Sequence, residues 1–263
     1  MPIRWYALAY VAGLLLGWLY ARALVRRHDL WGNVPHPTPE SLDDLLVYVA
    51  LGVVIGGRVG YVLFYNLDYF VGHPIDILIV WQGGMSFHGG LVGATLGIWF
   101  FAKTYAINPL SVADICAAVV PIGLFFGRIA NFIKPELWGR PTDEPWAMIF
   151  LCGQPVPSPC PGAGDIPRHP SQLYEAALEG FFLLIVLGLV ARAGAFKRPG
   201  LVAGLFGTCY GLARIFCEFF REPDPQLGFL FGGATMGMLL SMPLILIGLL
   251  LVTYSTRRKE AFE

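Results

Sequence analysis

The residues with the clearest capacity for chemistry are arginines inside otherwise apolar segments, namely Arg58, Arg128 and Arg214. A charge within the hydrocarbon layer is costly, and on a membrane helix it usually marks a functional site. A guanidinium can also bind a phosphate through two parallel hydrogen bonds. Asn131 lies three residues after Arg128, so on a helix the two share one face. These features predict a membrane protein that handles a phosphate-bearing molecule, with a lipid as the expected class.

The alternative role for these arginines is buried ion pairing with carboxylates, namely Glu175, Glu179 or Glu218. Each unrelieved arginine costs roughly 2.5–3.5 kcal/mol at a helix centre, so a passive bundle has little reason to carry three. Arg58 is flanked by glycines, which suits a packing role. We therefore rank Arg58 below the other two arginines as a site residue.

A second group of polar residues follows one stripe of the apolar segment 201–220. Its members are spaced by four, four and three residues: Tyr210, Arg214, Glu218 and Arg221. That spacing places them on one helical face that leads to the outer surface. The sequence Glu222-Pro223-Asp224-Pro225 then ends the helix. The stripe supports a phosphate site that continues inward from the surface.

His88 is the third candidate and opens the apolar segment 84–102 among glycines. Imidazole is the side chain best suited to accept a proton near neutral pH. The neighbouring glycines would let a lipid headgroup approach closely. Spacing alone leaves two roles open: a catalytic base, or an interfacial histidine that only hydrogen-bonds a loop.

The elements that must position these residues are membrane helices. Hydrophobic residues make up 56% of the 263 residues and charged residues 14%, against roughly 45–50% and 25% in soluble domains. Seven apolar segments approach the length needed to span a bilayer: residues 5–24, 45–65, 84–102, 110–133, 176–190, 201–220 and 229–254. The sequence predicts an all-α, polytopic integral membrane helix bundle of about seven transmembrane helices, with residues 1–263 as a single transmembrane domain.

A Pro/Gly-rich interval at 134–172 is predicted to be a loop within this domain. Ten of the eighteen Lys and Arg fall on one side of the bundle: Arg22, Arg26, Arg27, Lys103, Arg192, Lys197, Arg198, Arg257, Arg258 and Lys259. Five fall on the other side: Arg4, Lys134, Arg140, Arg168 and Arg221. The positive-inside rule then places the N-terminus outside, the C-terminus in the cytoplasm and the loop outside. In an oxidising compartment, Cys152 and Cys160 of this loop either form a disulfide or stay free.

Several classes of function receive little support. The net charge of zero gives no case for nucleic-acid binding. The five histidines show no i,i+4 pair and the cysteines no paired C-x-x-C pattern, so no metal site is expected. A secondary transporter could also use buried arginines, but transporters often carry internal repeats and none is visible here. A non-catalytic lipid-binding or assembly protein is the other alternative.

Four further motifs run through most of the chain. They are His88-Gly89-Gly90-Leu91; Gly127-Arg128-Ile129-Ala130-Asn131-Phe132 with Glu136-Leu137-Trp138-Gly139-Arg140; Arg168-His169-Pro170-Ser171-Gln172-Leu173-Tyr174-Glu175; and Tyr210-Gly211-Leu212-Ala213-Arg214 with Arg221-Glu222-Pro223-Asp224. In this order and combination they resemble bacterial prolipoprotein diacylglyceryl transferases. Trp5-Tyr6-Ala7-Leu8-Ala9-Tyr10 is similar to the aromatic motif of the family's first span. The chain departs from the family at Ala130, where Gly is usual, and at Lys134-Pro135, where Asn-Gly is usual.

The resemblance implies a defined reaction in the bacterial inner membrane. Such an enzyme takes phosphatidylglycerol from the bilayer and transfers its diacylglyceryl group to the thiol of the lipobox cysteine in a prolipoprotein signal peptide. The product is a thioether, and glycerol phosphate leaves. This is the first step of lipoprotein maturation, and it needs no metal or organic cofactor.

The resemblance also implies roles for the candidate residues. His88 or Tyr210 would act as a base and raise the thiolate fraction of a thiol whose free pKa is about 8.5. Arg128 and Arg214 would bind the phosphate, and Arg214 joins the catalytic set because charge develops on the leaving group. Asn131, Glu136 and Gly139 would orient the headgroup or a loop, and Tyr6, Glu218 and Arg221 complete the substrate-binding set.

Overall fold

Long helices dominate the computed structural model, which describes residues 5–152, 158–223 and 228–257. We number the long helices of these described residues α1 to α7: Trp5–Val25, Ser41–Tyr65, Phe87–Thr104, Pro109–Ile133, Ser171–Arg192, Leu201–Glu218 and Met236–Arg257. Short helices and 3-10 turns lie between them: His28–Trp31, Leu67–Gly72, Pro74–Leu78, Val80–Gln82, Ala195–Lys197 and Phe231–Gly233. The predicted all-α membrane helix bundle is confirmed.

Helix α3 differs from the other long helices in its capacity to span a bilayer. Within the described ranges, six helices are long and apolar enough to cross a membrane, and α3 is not among them. It has 18 residues, with His88 and Lys103 near its two ends. Its glycines lower its hydropathy further, because they add length without apolar surface. Length and composition therefore support six membrane-spanning helices. That α3 forms a seventh span stays a prediction.

Helix α3 packs closely and antiparallel against α2. Gly52 faces Gly93 and Gly56 faces Gly89, so that a Cβ added at Gly93 would lie 1.9 Å from the Gly52 carbonyl oxygen. Small residues of this kind let two membrane helices approach backbone to backbone. Farther along the pair, the Tyr48 hydroxyl lies 3.2 Å from Oγ1 of Thr104, the last residue of α3. Helix α3 therefore runs beside most of the length of α2.

Two helix boundaries differ from the expected segments for physical reasons. Helix α5 begins at Ser171, five residues before the expected start at 176, because its first turns bury polar side chains that conceal the helix from a hydropathy pattern. Helix α7 begins at Met236, seven residues after the expected start at 229. Gly228, Gly232 and Gly233 all have positive φ there, so the chain turns before the helix starts.

The predicted loop at 134–172 has ordered contacts in its described part. Strands Leu151–Cys152 (β1) and Ser158–Pro159 (β2) pair antiparallel, and Cys152 forms a disulfide with Cys160. The buried Arg168 guanidinium donates to the carbonyl oxygens of Ala163, at 2.7 Å, and Gly139, at 3.1 Å. These bonds hold distant parts of the loop together, because a buried guanidinium must satisfy its donors within the protein.

The close approach of α2 and α3 gives a prediction for stability. Replacing a helix-interior glycine with alanine is favourable by roughly 0.5–1 kcal/mol when the site has room. Gly93→Ala should instead lower the thermal unfolding temperature of the purified protein, because its Cβ would collide with the Gly52 backbone. Gly123→Ala in α4 is the matched control, since a Cβ there meets nothing within 4 Å. Equal unfolding temperatures for the two variants would contradict this packing.

Candidate active site

Arginines and glutamates from three parts of the chain meet inside the bundle. We call them the arginine–glutamate cluster: Arg128 of α4, Glu175 and Glu179 of α5, Arg214 and Glu218 of α6, and Arg221 just after α6. The Glu175 and Glu179 side chains are 0% exposed, and those of Arg128 and Arg214 are 16% and 13% exposed. The three positive and three negative formal charges cancel, which relieves the cost of burying each of them.

Arg128 joins α4 to both carboxylates of α5. Its Nη1 lies 3.0 Å from Glu175 Oε2, and its Nη2 donates to Glu179 Oε2 at 3.0 Å. Its Nε also reaches Glu179 Oε2, at 3.3 Å. The planar guanidinium suits this two-sided arrangement, which a lysine ammonium could not reproduce.

Arg214 joins α6 to the same carboxylates from the opposite side. Its Nη1 donates to Glu175 Oε1 at 2.5 Å and lies 3.5 Å from Glu179 Oε1. Its Nη2 pairs with Glu218, one turn later on the same helix. Arg221 Nη1 donates to Glu175 Oε1 at 3.3 Å. Glu175 therefore links three arginines.

Helix α5 has an unusual local geometry where it carries these carboxylates. Residues Ala176–Phe182 form a π-helical segment between two α-helical stretches. Such segments are rare and frequently occur at functional sites. Gly180 lies inside it, and a Cβ there would lie 2.6 Å from Phe125 Cβ. Glycine at this position therefore lets α5 approach α4 closely enough for Glu179 to reach Arg128.

The start of α7 holds Glu218 in place. Thr235 Oγ1 donates to Glu218 Oε2 at 2.5 Å, and it also accepts from the Met238 amide at 3.3 Å. A Cβ added at Gly237 would lie 2.6 Å from Glu218 Oε1, so glycine makes room for the carboxylate. The N-terminus of a helix favours a negative charge. Glu218 is thus fixed by α7 and presents its other oxygen to Arg214.

A second polar network lies at the end of α4. Asn131 Nδ2 donates to the Tyr6 hydroxyl at 2.5 Å and to Glu136 Oε1 at 2.8 Å. Lys134 Nζ lies 2.9 Å from Glu136 Oε2 and 5.0 Å from the centre of the Tyr6 ring. Burial raises the pKa of the Glu136 carboxyl. The structure brings Tyr6, Asn131 and Glu136 together and adds Lys134, a residue that departs from the family pattern.

Gly139 connects this network to the cluster through its backbone. Its amide donates to the His169 carbonyl at 2.9 Å, and it pairs as a β-bridge with Arg221. A Cβ at this position would lie 2.5 Å from the His169 carbonyl oxygen and 2.6 Å from that of Phe220. Only glycine fits between two backbones that approach this closely.

The two predicted bases occupy different positions. Tyr210 lies one turn before Arg214 on α6, where the charges of Glu179, Arg214 and Arg128 act on its phenol. Its ring stacks on Phe206 with centroids 5.6 Å apart. His88 is exposed at the start of α3. In the described part of the chain, no hydrogen bond or ion pair joins His88 to the cluster, so its catalytic role stays a prediction.

Arg58, the third intramembrane arginine, has a separate role. Its guanidinium donates to five backbone carbonyl oxygens, those of Asp76, Ile77, Ile79, Gly83 and Gly84, at 2.5–3.2 Å. The side chain also lies over the Phe70 ring at 5.0 Å. Backbone carbonyls, and not the carboxylates considered as the alternative, accept its hydrogen bonds among the described residues. Arg58 holds the segment between α2 and α3, which agrees with its lower rank as a site residue.

The central position of two carboxylates was missed by sequence reasoning. The sequence predicts Glu175 and Glu179 only as alternative ion-pair partners of the arginines, and the structure forms those pairs with Arg128 and Arg214. The signal was present, because two glutamates four residues apart precede an apolar run and lie on one helical face. Thr235 gave no comparable signal, because its role depends on where α7 starts.

Comparisons with known proteins show the family to which the chain is similar. The family model described as "Prolipoprotein diacylglyceryl transferase" matches residues 1–254. The chain is similar to three bacterial proteins named phosphatidylglycerol–prolipoprotein diacylglyceryl transferase. The relative from Methylocella silvestris is 63% identical over 259 residues, covering 98% of this chain and 92% of its own length. Those from Beijerinckia indica and Rhodopseudomonas palustris are 61% and 57% identical, covering 96% and 97% of this chain and 89% and 87% of their own lengths.

The central position of Glu175 gives a prediction for stability. Glu175→Gln leaves three arginines with two carboxylates, so one buried positive charge loses its balance. Removing one partner of a buried pair typically costs about 3–5 kcal/mol, so the variant should unfold at a clearly lower temperature. Glu144→Gln is the control, because Glu144 is exposed. Indistinguishable unfolding curves for the two variants would show that the cluster does not depend on Glu175.

Proposed function

Because the chain belongs to the prolipoprotein diacylglyceryl transferase family, we propose that its arginine–glutamate cluster binds the phosphate of phosphatidylglycerol during diacylglyceryl transfer. The chain is a multi-pass bacterial membrane enzyme, a transferase that acts in the first step of lipoprotein maturation. Its substrates are phosphatidylglycerol and the lipobox cysteine of prolipoprotein signal peptides.

The single observation that carries this proposal is the convergence of Arg128 and Arg214 on Glu175. Each Nη atom of a guanidinium has two N–H groups. Both Nη atoms of Arg128 and Nη2 of Arg214 each contact one glutamate, whereas Nη1 of Arg214 contacts two. Glu175 Oε2 and Glu179 Oε1 lie at ion-pair distance from an arginine but without aligned hydrogen bonds. The two guanidinium groups therefore retain donors for a phosphate while the carboxylates hold them in position.

The reaction needs stabilisation of negative charge on the leaving group. The thiolate sulfur of the lipobox cysteine attacks the carbon of the diacylglyceryl group that is bonded to the phosphate oxygen. A C–S bond forms, the C–O bond breaks, and glycerol phosphate leaves with the electron pair on its oxygen. Arg128 and Arg214 are fixed before the reaction in a poorly solvated place, where such donors stabilise developing charge most strongly.

The proton of the thiol must go to a base, and two residues are candidates. Tyr210 lies next to the cluster, whereas His88 lies at the exposed start of α3. An imidazole nitrogen can accept the proton of a thiol, so a peptide bound beside α3 would present its cysteine to His88. The Tyr6, Asn131 and Glu136 network would then orient the glycerol headgroup through hydroxyl, amide and carboxylate groups.

We also propose that the cluster lies toward the outside of the cell. The Cys152–Cys160 disulfide belongs to the segment that leads into α5, and disulfides persist in oxidising compartments. The excess of Lys and Arg lies at the opposite ends of the helices. Three of the basic residues used for this orientation, Arg4, Arg258 and Lys259, lie outside the described residues.

The phosphate role predicts a specific effect of Arg128→Lys. Lysine keeps the charge but loses the planar two-point contact, so turnover should fall about 100-fold, as for loss of one preorganised donor. Turnover is measured as glycerol phosphate release from phosphatidylglycerol with a purified lipobox peptide. Arg26→Lys, an exposed arginine beyond α1, is the control. Turnover of Arg128→Lys close to wild type would exclude the bidentate role.

The base role of His88 gives a separate prediction. His88→Gln keeps hydrogen-bonding capacity but removes the titratable nitrogen, so turnover should fall and its rise with pH near neutrality should flatten. Binding of phosphatidylglycerol should persist, because the cluster is untouched. His28→Gln, an exposed histidine in the short helix His28–Trp31, is the control. An unchanged rate and pH profile would leave Tyr210 as the candidate base.

The proposed orientation predicts the accessibility of two sites. A reporter fused after Glu263 should lie in the cytoplasm, and a cysteine placed at Gly164 should react with a membrane-impermeant reagent in intact cells. Labelling at Gly164 only after the cells are lysed would reverse the orientation.

A further inference from the structure

An apolar cleft on the outer surface of the bundle extends along α5, from Phe181 to Arg192 at the end distant from the arginine–glutamate cluster. It has a volume of about 570 Å³ and is lined by residues of α1, α4 and α5. Phenyl groups of Phe126 and Phe181 line one part of it, and aliphatic side chains continue along α5. Nothing in the proposed reaction uses this cleft.

The far end of the cleft is polar. Arg192, in the last turn of α5, and Tyr20 of α1 both line it. Arg192 is exposed, and within the described ranges it makes no ion pair or hydrogen bond. A Cβ added at Gly188 would lie 3.4 Å from the Tyr20 hydroxyl, so glycine keeps the space beside that hydroxyl open. A cation and a phenol therefore stand together at the mouth of an apolar cleft.

The length of the cleft matches one leaflet of a bilayer. Phe181 and Arg192 are eleven residues apart, which is about 16 Å along a helix. Half of the hydrocarbon core of a bilayer is about 15 Å thick. An acyl chain that starts beside Arg192 would therefore reach Phe181 near the middle of the membrane.

We propose that this cleft binds one acyl chain of an anionic phospholipid, whose phosphate contacts Arg192 and Tyr20. A guanidinium is well suited to a phosphate, and a tyrosine hydroxyl can donate to the same group. Glu175 and Arg192 are seventeen residues apart on α5, about 25 Å. The lipid is therefore held in the leaflet opposite the cluster, and it is a bound partner distinct from the substrate.

Photolabelling tests this site directly. The full-length protein is reconstituted in phosphatidylcholine vesicles with phosphatidic acid that carries a diazirine in one acyl chain. Labelled positions are then mapped by mass spectrometry. We expect labels between Phe181 and Arg192, stronger than with a phosphatidylcholine probe of the same chain. Arg192→Gln should lower labelling by phosphatidic acid about tenfold, the effect of one charge-assisted contact.

Two further variants separate this site from ordinary lipid contact. Gly188→Leu fills the cleft and should lower labelling by both probes, whereas Arg26→Gln, an exposed arginine beyond α1, should leave labelling unchanged. Turnover of the Arg192 and Gly188 variants should stay near wild type. Labelling therefore tests the lipid site, and turnover tests the proposed reaction separately. Equal labelling by the two probes, or no effect of Arg192→Gln, would overturn the anionic lipid site and leave Arg192 to complement the helix dipole.

Discussion

The burial of paired charges at Glu175 is the constraint on which the rest of the structure depends. One carboxylate lies within 3.3 Å of nitrogens from Arg128 on α4, Arg214 on α6 and Arg221 just after α6. An isolated charge in this environment would be strongly destabilising, and even a balanced cluster gains little net stability. Such a cluster is better explained by function than by stability. It keeps two guanidinium groups charged, close together and only partly exposed, as the proposed phosphate binding requires.

Several local features serve this single arrangement. The π-helical segment of α5 and the glycine at Gly180 bring Glu179 to α4. Thr235 and Gly237 fix Glu218 from the start of α7. Gly139 allows the loop backbone to pass beside Arg221 and His169 without a gap. Each of these features restricts the motion of a charged group. Such restriction would favour the proposed reaction, because a misplaced charge in a poorly solvated site stabilises the transition state less well.

The sequence predicted most of the helices, but it predicted the site only in part. Hydropathy located α4 and α6 to within a few residues, because their apolar residues face both lipid and neighbouring helices. It placed the start of α5 five residues late, because Glu175 and Glu179 lower local hydropathy although their charges are neutralised by arginines distant in sequence. The same limitation applies to Arg58, whose carbonyl partners come from a segment whose turn geometry the sequence did not reveal. Spacing in the sequence identifies residues that share one helix face. Identifying their partners on other helices requires the packed structure.

Direct contact between the guanidinium groups and the lipid phosphate is the measurement that tests the central claim. Solid-state NMR on the reconstituted protein with ¹⁵N-labelled arginine can detect dipolar coupling between guanidinium nitrogens and the ³¹P of bound phosphatidylglycerol. The account predicts this coupling in an Arg192→Gln protein, which lacks the lipid contact proposed at the other end of α5, and its loss when Arg128 and Arg214 are also replaced by lysine. Phosphatidylglycerol that remains bound and reactive without any arginine-to-phosphorus coupling would contradict it, and would leave the cluster as a structural ion-pair network.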